Sequence, residues 1–170
     1  MISVYEARKR ILSSFEPLPP EDVGLDEALG RVLAQDVQAR RTQPPTAISS
    51  MDGFAARSAD LSEAPKVLKQ VGKAPAGGAF KGVVGKNETV RIFTGGPVPD
   101  GADTIVIQEN TESKGDEITV RVSAQPGQYI RKAGLDFSAG EVGLSSGKIL
   151  TACDISLAAA MDFPWLTVYR

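Results

Sequence analysis

The stretch Arg91-Ile-Phe-Thr-Gly-Gly-Pro-Val-Pro-Asp-Gly-Ala-Asp-Thr-Ile-Val-Ile-Gln-Glu109 sets two apolar runs on either side of a dense cluster of glycine, proline and aspartate. A strand is expected to enter the cluster and another to leave it. Gly95, Gly96 and Gly101 free the backbone to turn, while Pro97 and Pro99 fix φ and remove N–H donors, so the connection is expected to be stiff. With Thr94 at its start, the hydroxyl and the N–H groups of Gly95 and Gly96 are the parts of a small anion-binding nest. The same residues also suit a plain rigid turn. The Lys-Ser/Thr of a phosphate-binding P-loop and the Rossmann glycine fingerprint are both absent.

Outward from this loop, Thr89–Phe93 leads in and Thr104–Gln108 leads out. Val67–Val71 and Glu117–Val122 read as further strands, the last with Ile118, Val120 and Val122 alternating. Lys114-Gly-Asp116 supplies a hairpin turn ahead of it. Short strands with glycine-rich connections predict a small β-barrel or sandwich over 51–124. In Ala47-Ile-Ser-Ser-Met-Asp-Gly-Phe-Ala-Ala-Arg57, Asp52 stands between a methionine and a glycine, which on its own reads as a turn position.

The flanks read as helical. Ser3 followed by Glu6 is a capping-box pattern, and Val4, Ala7, Ile11 and Phe15 share a helical face that Pro17 ends. Leu25, Ala28, Leu29, Val32 and Leu33 give a second helical face, although Gly30 weakens it and Arg31–Val37 equally fits a strand. Gln128–Phe137 follows the strand region. Thr151 and Asp154 form a cap pattern for a short helix carrying Ile155, Ala158, Ala159 and Met161, with Cys153 at a small apolar position. Trp165–Tyr169 reads as a closing strand with only Arg170 beyond, as expected of a piece of a longer polypeptide.

Composition narrows the chemistry. The chain has no histidine and one cysteine, which excludes Ser-His-Asp and Cys-His catalysis, internal disulfides and cysteine-cluster zinc sites. Nineteen Lys+Arg against 21 Asp+Glu leave a net charge of −2, with no long basic run, so nucleic acid is not an expected partner. The N-terminus lacks signal-peptide order, and nowhere do about eighteen apolar residues run together, so a soluble cytoplasmic protein without membrane contact is expected. At 170 residues and 42% hydrophobic content a sizeable core is affordable, in one domain or two.

Three segments, Ser49-Ser-Met-Asp-Gly-Phe-Ala-Ala-Arg57, Arg91–Asp103 and Arg131-Lys-Ala-Gly-Leu-Asp136, together resemble the N-terminal half of molybdopterin molybdenumtransferase, the MoeA and gephyrin E-domain family. The resemblance covers essentially the whole chain, including Glu27–Ala34 and the closing helix and strand. It implies an α+β fold. A mixed helix/strand linker and dimerisation domain, from 1–50 and 125–170, would carry an inserted β-barrel-like domain at 51–124. It also implies the reaction: metal from molybdate enters adenylylated molybdopterin with the help of Mg²⁺, and molybdenum cofactor and AMP leave.

The cleft that the family implies forms in an elongated homodimer and is completed by a following pterin-binding domain. Asp52, Thr94 and Asp136 would be its catalytic residues, with Asp52 and Asp136 holding Mg²⁺ or its waters. Ser50, Gly53, Gly95 and Gly96 would contact substrate. The N-terminal and closing helices would pair with a partner subunit through Val4/Ala7/Ile11 and Ile155/Ala158/Ala159. The fragment itself is expected to hold no cofactor tightly and to be inactive alone. Two departures stand out: Pro45-Thr-Ala-Ile-Ser-Ser50 replaces the frequent Pro-Phe-Asp-Asn-Ser-Ala, and Gly134-Leu-Asp136 replaces Gly-Glu-Asp, removing a carboxylate at Leu135. The competing reading is a non-catalytic dimerisation or interaction module that retains the fold.

Overall fold

The computed structural model describes residues 1–75 and 77–170, which form two compact units: Met1–Arg41 with Phe137–Arg170, and Thr42–Asp136. In chain order the elements are α1 (Val4–Leu12), β1 (Pro20–Gly24), β2 (Val32–Leu33), β3 (Val37–Gln38), β4 (Ile48–Ser49), β5 (Gly53–Ala56) and β6 (Lys66–Ala74). There follow β7 (Glu88–Ile92), β8 (Thr104–Ile107), β9 (Thr111–Lys114), β10 (Glu117–Val120) and β11 (Ile130–Arg131). The chain closes with β12 (Val142–Leu144), α2 (Ala152–Ala160) and β13 (Trp165–Tyr169).

In the first unit, α1 starts where the Ser3 hydroxyl accepts the Glu6 N–H at 3.2 Å, and it stops ahead of Pro17 as the sequence predicts. None of its residues is buried; Val4 is 87% and Ile11 59% exposed. The second predicted helix, over Leu25–Leu33, does not form. Gly30 takes φ +77° and its N–H donates to Leu150 O, so the backbone turns out of any helical ladder there. The apolar spacing arises instead because a tight turn buries Ala28 and then β2 buries Leu33, while Leu29 stays exposed. The strand alternative for Arg31–Val37 is the one realised, in the short pieces β2 and β3. Strands β1, β13 and β2 make an antiparallel sheet in that order, and β12 pairs with β3.

Helix α2 has the predicted cap and packs on this unit's core. The Asp154 carboxylate accepts from Lys148 Nζ at 2.7 Å and from the hydroxyl and N–H of Thr151 at 2.7 and 2.9 Å. The Lys148 ammonium, then the Thr151 donors, pull its pKa from 3.8 down to about 2. A lowered carboxylate pKa adds stability that is complete above the unfolded value and is lost as pH falls through the folded one. Asp154→Asn is therefore expected to cost about 1–2 kcal/mol at neutral pH. It should also flatten the loss of stability on acidification from 3.8 towards 2, measured by denaturant unfolding at stepped pH. Ala158 is fully buried and Ile155 packs against the same core, so only Ala159 of the three residues expected to meet a partner subunit remains exposed. Cys153 lies on α2, as expected, and is exposed.

The second unit is built on a six-stranded sheet of order β8-β5-β7-β6-β10-β9, in which only β6 and β7 run parallel. All four strands predicted around the glycine-proline loop are present, and Gly115, at φ +66°, turns the β9–β10 hairpin. The sheet does not close: β8 and β9 are its edges, so it is a curled half-barrel. One face packs Ala55, Ala74, Val90, Ile92 and Ile105; the other packs Ala56, Leu68, Val106 and Val120 at one end. Strand β4 pairs with β11, Ser49 opposite Ile130 and Ile48 opposite Arg131. That pairing draws 42–50 and 125–136 into the second unit, which is wider than the expected 51–124. In β6 the register slips between Gln70 and Gly72, leaving Val71 as an extra residue against β7.

Candidate functional site

The loop after β7 is held beside β4 and the start of β5. Ser49 N–H donates to Gly96 O and Gly95 N–H to Ser49 O, both at 2.9 Å, while Val98 N–H donates to Ala47 O. These bonds bring Thr94 to Asp52. The Thr94 N–H and hydroxyl both donate to Asp52 Oδ1, each at 2.8 Å. Both side chains are exposed. The Thr94 N–H and then its hydroxyl hold the Asp52 carboxyl below the usual carboxylate range; partial desolvation opposes them, and the Arg91 guanidinium adds a weaker downward pull. Asp52 is thus an ionised, oriented carboxylate whose Oδ2 carries none of these bonds.

The expected nest at Thr94-Gly-Gly is not open to an anion. Its three N–H groups are committed within the protein: Thr94 to Asp52, Gly95 to Ser49 O and Gly96 to Phe93 O. Gly95 is needed for its φ of +81°. Gly96 is buried, and an added Cβ would meet Phe93 O at 2.9 Å and Ala74 O at 3.0 Å. At Gly53 a Cβ would lie 2.0 Å from Val106 O, so glycine there permits β5 to pair with β8. The Ser50 hydroxyl donates to Tyr129 O at 3.0 Å. The structure therefore joins Asp52 and Thr94 directly, and gives Ser50, Gly53 and Gly96 packing duties.

Asp136 is placed differently. Both of its carboxylate oxygens accept from Arg131 Nη2, at 2.7 and 3.0 Å, and its N–H donates to Gln43 O. No bond joins it to Asp52 among the described residues, and no group of three or more Asp, Glu or Cys there is placed to hold a metal ion unaided.

A cleft of about 510 Å³ opens on the sheet face that carries Arg91. Arg91 lies over the rings of Phe54 and Phe93, 5.1 and 4.8 Å from their centroids, with Nη1 donating to Gly53 O at 3.1 Å and Nη2 to the Gln108 side chain. Gln108 also lines the hollow that contains Asp52, and its N–H donates to Asp52 O at 3.1 Å. Sequence reasoning quoted Arg91 but gave it no role. The available signal was a cation between the two buried apolar residues Val90 and Ile92 of β7.

The sequence model described as "MoeA N-terminal region (domain I and II)" matches residues 2–161. The chain is 37% identical over 172 aligned positions to "Molybdopterin molybdenumtransferase 2" of Mycobacterium tuberculosis, covering 99% of this chain and 42% of that protein. It is 33% identical to the molybdopterin molybdenumtransferase of Haemophilus influenzae, again across 42% of that protein. The crystal structure of the molybdopterin biosynthesis MoeA protein from Pyrococcus horikoshii OT3 superposes with a TM-score of 0.87 at 33% identity, covering 99% of this chain and 45% of that one. The chain thus spans under half the length of the relatives it matches. On sequence and fold together, it belongs to the family of the MoeA N-terminal region.

Proposed function

We propose that this chain is the N-terminal part of a molybdopterin molybdenumtransferase, which inserts molybdenum from molybdate into adenylylated molybdopterin. The single observation that carries this reading is the Asp52–Thr94 pair, an exposed, ionised carboxylate locked by two donors at the family's Met-Asp-Gly and Phe-Thr-Gly segments. Such a carboxylate suits Mg²⁺, which takes hard oxygen ligands, retains several waters, and is commonly held by one or two carboxylates together with substrate oxygens. Asp52 Oδ2 is the atom to hold the ion or one of its waters. Asp136 joins only if Arg131 releases it, because that guanidinium already occupies both carboxylate oxygens. When bound, Mg²⁺ supplies charge neutralisation at substrate oxygens; the chain supplies a fixed, charged carboxylate and a threonine hydroxyl beside it.

In this reading the first unit is the linker and dimerisation part and the second is the inserted β domain. The exposed face of α1, with Val4 and Ile11, is the part of the expected dimer contact that the chain does not cover itself. Homodimerisation then lets a pterin-binding domain from one subunit face Asp52 of the other, and the 170-residue chain alone is inactive. Losing that domain removes positioning as well as contacts, on the order of 7–11 kcal/mol of barrier lowering in favourable cases. The test is to express the complete reading frame that contains this chain in the cytoplasm. It is expected to continue past the Arg170 codon into an α/β domain, to insert molybdenum, and to scatter light as a dimer. A stop codon after Arg170, with no activity, would instead leave the non-catalytic module.

A further inference from the structure

We propose that the Arg91–Lys73 cleft is a binding site for a tetrahedral oxyanion, free or as a phosphate monoester. The register of the sheet places Phe54 opposite Arg91 on one side and Lys73 opposite Arg91 on the other, so one row across β5, β7 and β6 carries an aromatic ring and two cations. Like charges directly opposite each other are normally destabilising in a sheet. No acidic side chain lines the cleft, and neither Arg91 nor Lys73 forms an ion pair among the described residues; the nearest carboxylate that feels Arg91 is Asp52, in the neighbouring hollow. The rest of the lining is Phe93 together with Gln70, Gln108, Thr111 and Ser113, which are hydrogen-bonding groups without charge.

A structural explanation accounts for only half of this arrangement. Arg91 clamps Gly53 O and Gln108 and lies over two rings, which would justify an arginine with no ligand at all. Lys73 is exposed and has no acceptor among the described residues, yet it stands in register beside that guanidinium. The clamp also holds the guanidinium rigid, so an oxyanion that binds it meets a preorganised donor and immobilises little more. Flanking rings thin the water around the charge and strengthen its field. An oxyanion between Lys73 and Arg91 cancels the repulsion and shares the cleft with the Gln70 amide and the Ser113 hydroxyl, whereas the Thr111 hydroxyl already donates to Gln108 O and Gln108 Nε2 to Glu109.

This inference does not rest on the transferase reading, because it is a binding property of the chain itself. Isothermal titration calorimetry in phosphate-free buffer would use sodium phosphate, sodium molybdate and adenosine monophosphate, with sodium chloride at matched ionic strength as control. Saturable binding of at least one of the three is expected. Lys73→Gln should weaken it by about tenfold or more. Lys73→Glu should abolish it and at the same time raise the melting temperature, since a carboxylate then faces Arg91. Equal affinity for phosphate and the nucleotide assigns a free-oxyanion site, and the nucleotide binding at least about tenfold tighter assigns a monoester site. Absence of saturable binding for all three in the millimolar range overturns the proposal, as does binding that neither Lys73 variant alters.

Discussion

Asp52→Asn, carried in the full-length protein, is expected on the proposed transferase reading to lower turnover by about tenfold to a hundredfold while leaving the melting temperature almost unchanged. The amide oxygen of Asn still accepts both Thr94 donors, so local geometry survives; what disappears is the negative charge that a divalent cation or its waters need. If Asp52 were only a turn residue, the variant would keep its activity, since Asn suits turns as well. Thr94→Val provides a second reading of the same pair. It removes one of the two donors that depress the Asp52 pKa, so the carboxylate becomes easier to protonate and the acid limb of the pH–rate profile moves to higher pH. Asp116→Asn, in the β9–β10 turn, serves as a control and should change neither turnover nor melting. Wild-type turnover in folded Asp52→Asn would remove this residue from the chemistry.

The largest effect on stability is expected at the neighbouring position. Gly53→Ala places a methyl group 2.0 Å from Val106 O, 2.9 Å from Val106 C and 3.0 Å from Ile107 Cα, all backbone atoms that cannot swing aside. Strand β8 must separate from β5, or β5 must shift against β7, in a sheet whose central strand is β5's neighbour on one side and whose edge is on the other. Overpacking of this kind costs about 3 kcal/mol or more, equivalent to a drop of roughly 4–8 °C in melting temperature for each kcal/mol in a unit of this size. Thermal unfolding followed by circular dichroism checks it, and a melting temperature matching wild type would mean that the strands separate without cost.

The strands around the glycine-proline loop were legible because short runs of β-branched residues are bounded by turn residues, as in Thr104–Ile107 and Glu117–Val120. The caps at Ser3 and Thr151 were legible too, since a capping side chain acts on an N–H only three residues away. Leu25–Leu33 misled because turn residues that bury Ala28 and Leu33 happen to fall at helical spacing, and local periodicity does not record which residues a turn inserts into a core. Pairings such as Ser49 with Ile130 join two-residue strands far apart in sequence, too short to leave a pattern. At the site, Asp52 and Thr94 were identified through family resemblance, not through spacing, and their contact is set by the long-range bonds of Ser49 to the loop. The anion nest failed for a reason invisible in sequence: residue types advertise N–H donors but not whether backbone carbonyls have already taken them.

Val71 makes the composition of the cleft a matter of counting. Gln70 lines the cleft and Ala74 lies in the core, and strict alternation along a strand would put both side chains on the same face, since four residues separate them. The single extra residue in β6 resolves that conflict by changing odd to even partway along the strand, so Lys73 joins Gln70 and Ala74 points the other way. Pairing β6 with β7 without that bulge, at unchanged length, would therefore exchange an ammonium group for a methyl group on both faces at once. It would put a charge into the apolar interior and erase half of the cationic row, although no residue touching either would have been substituted.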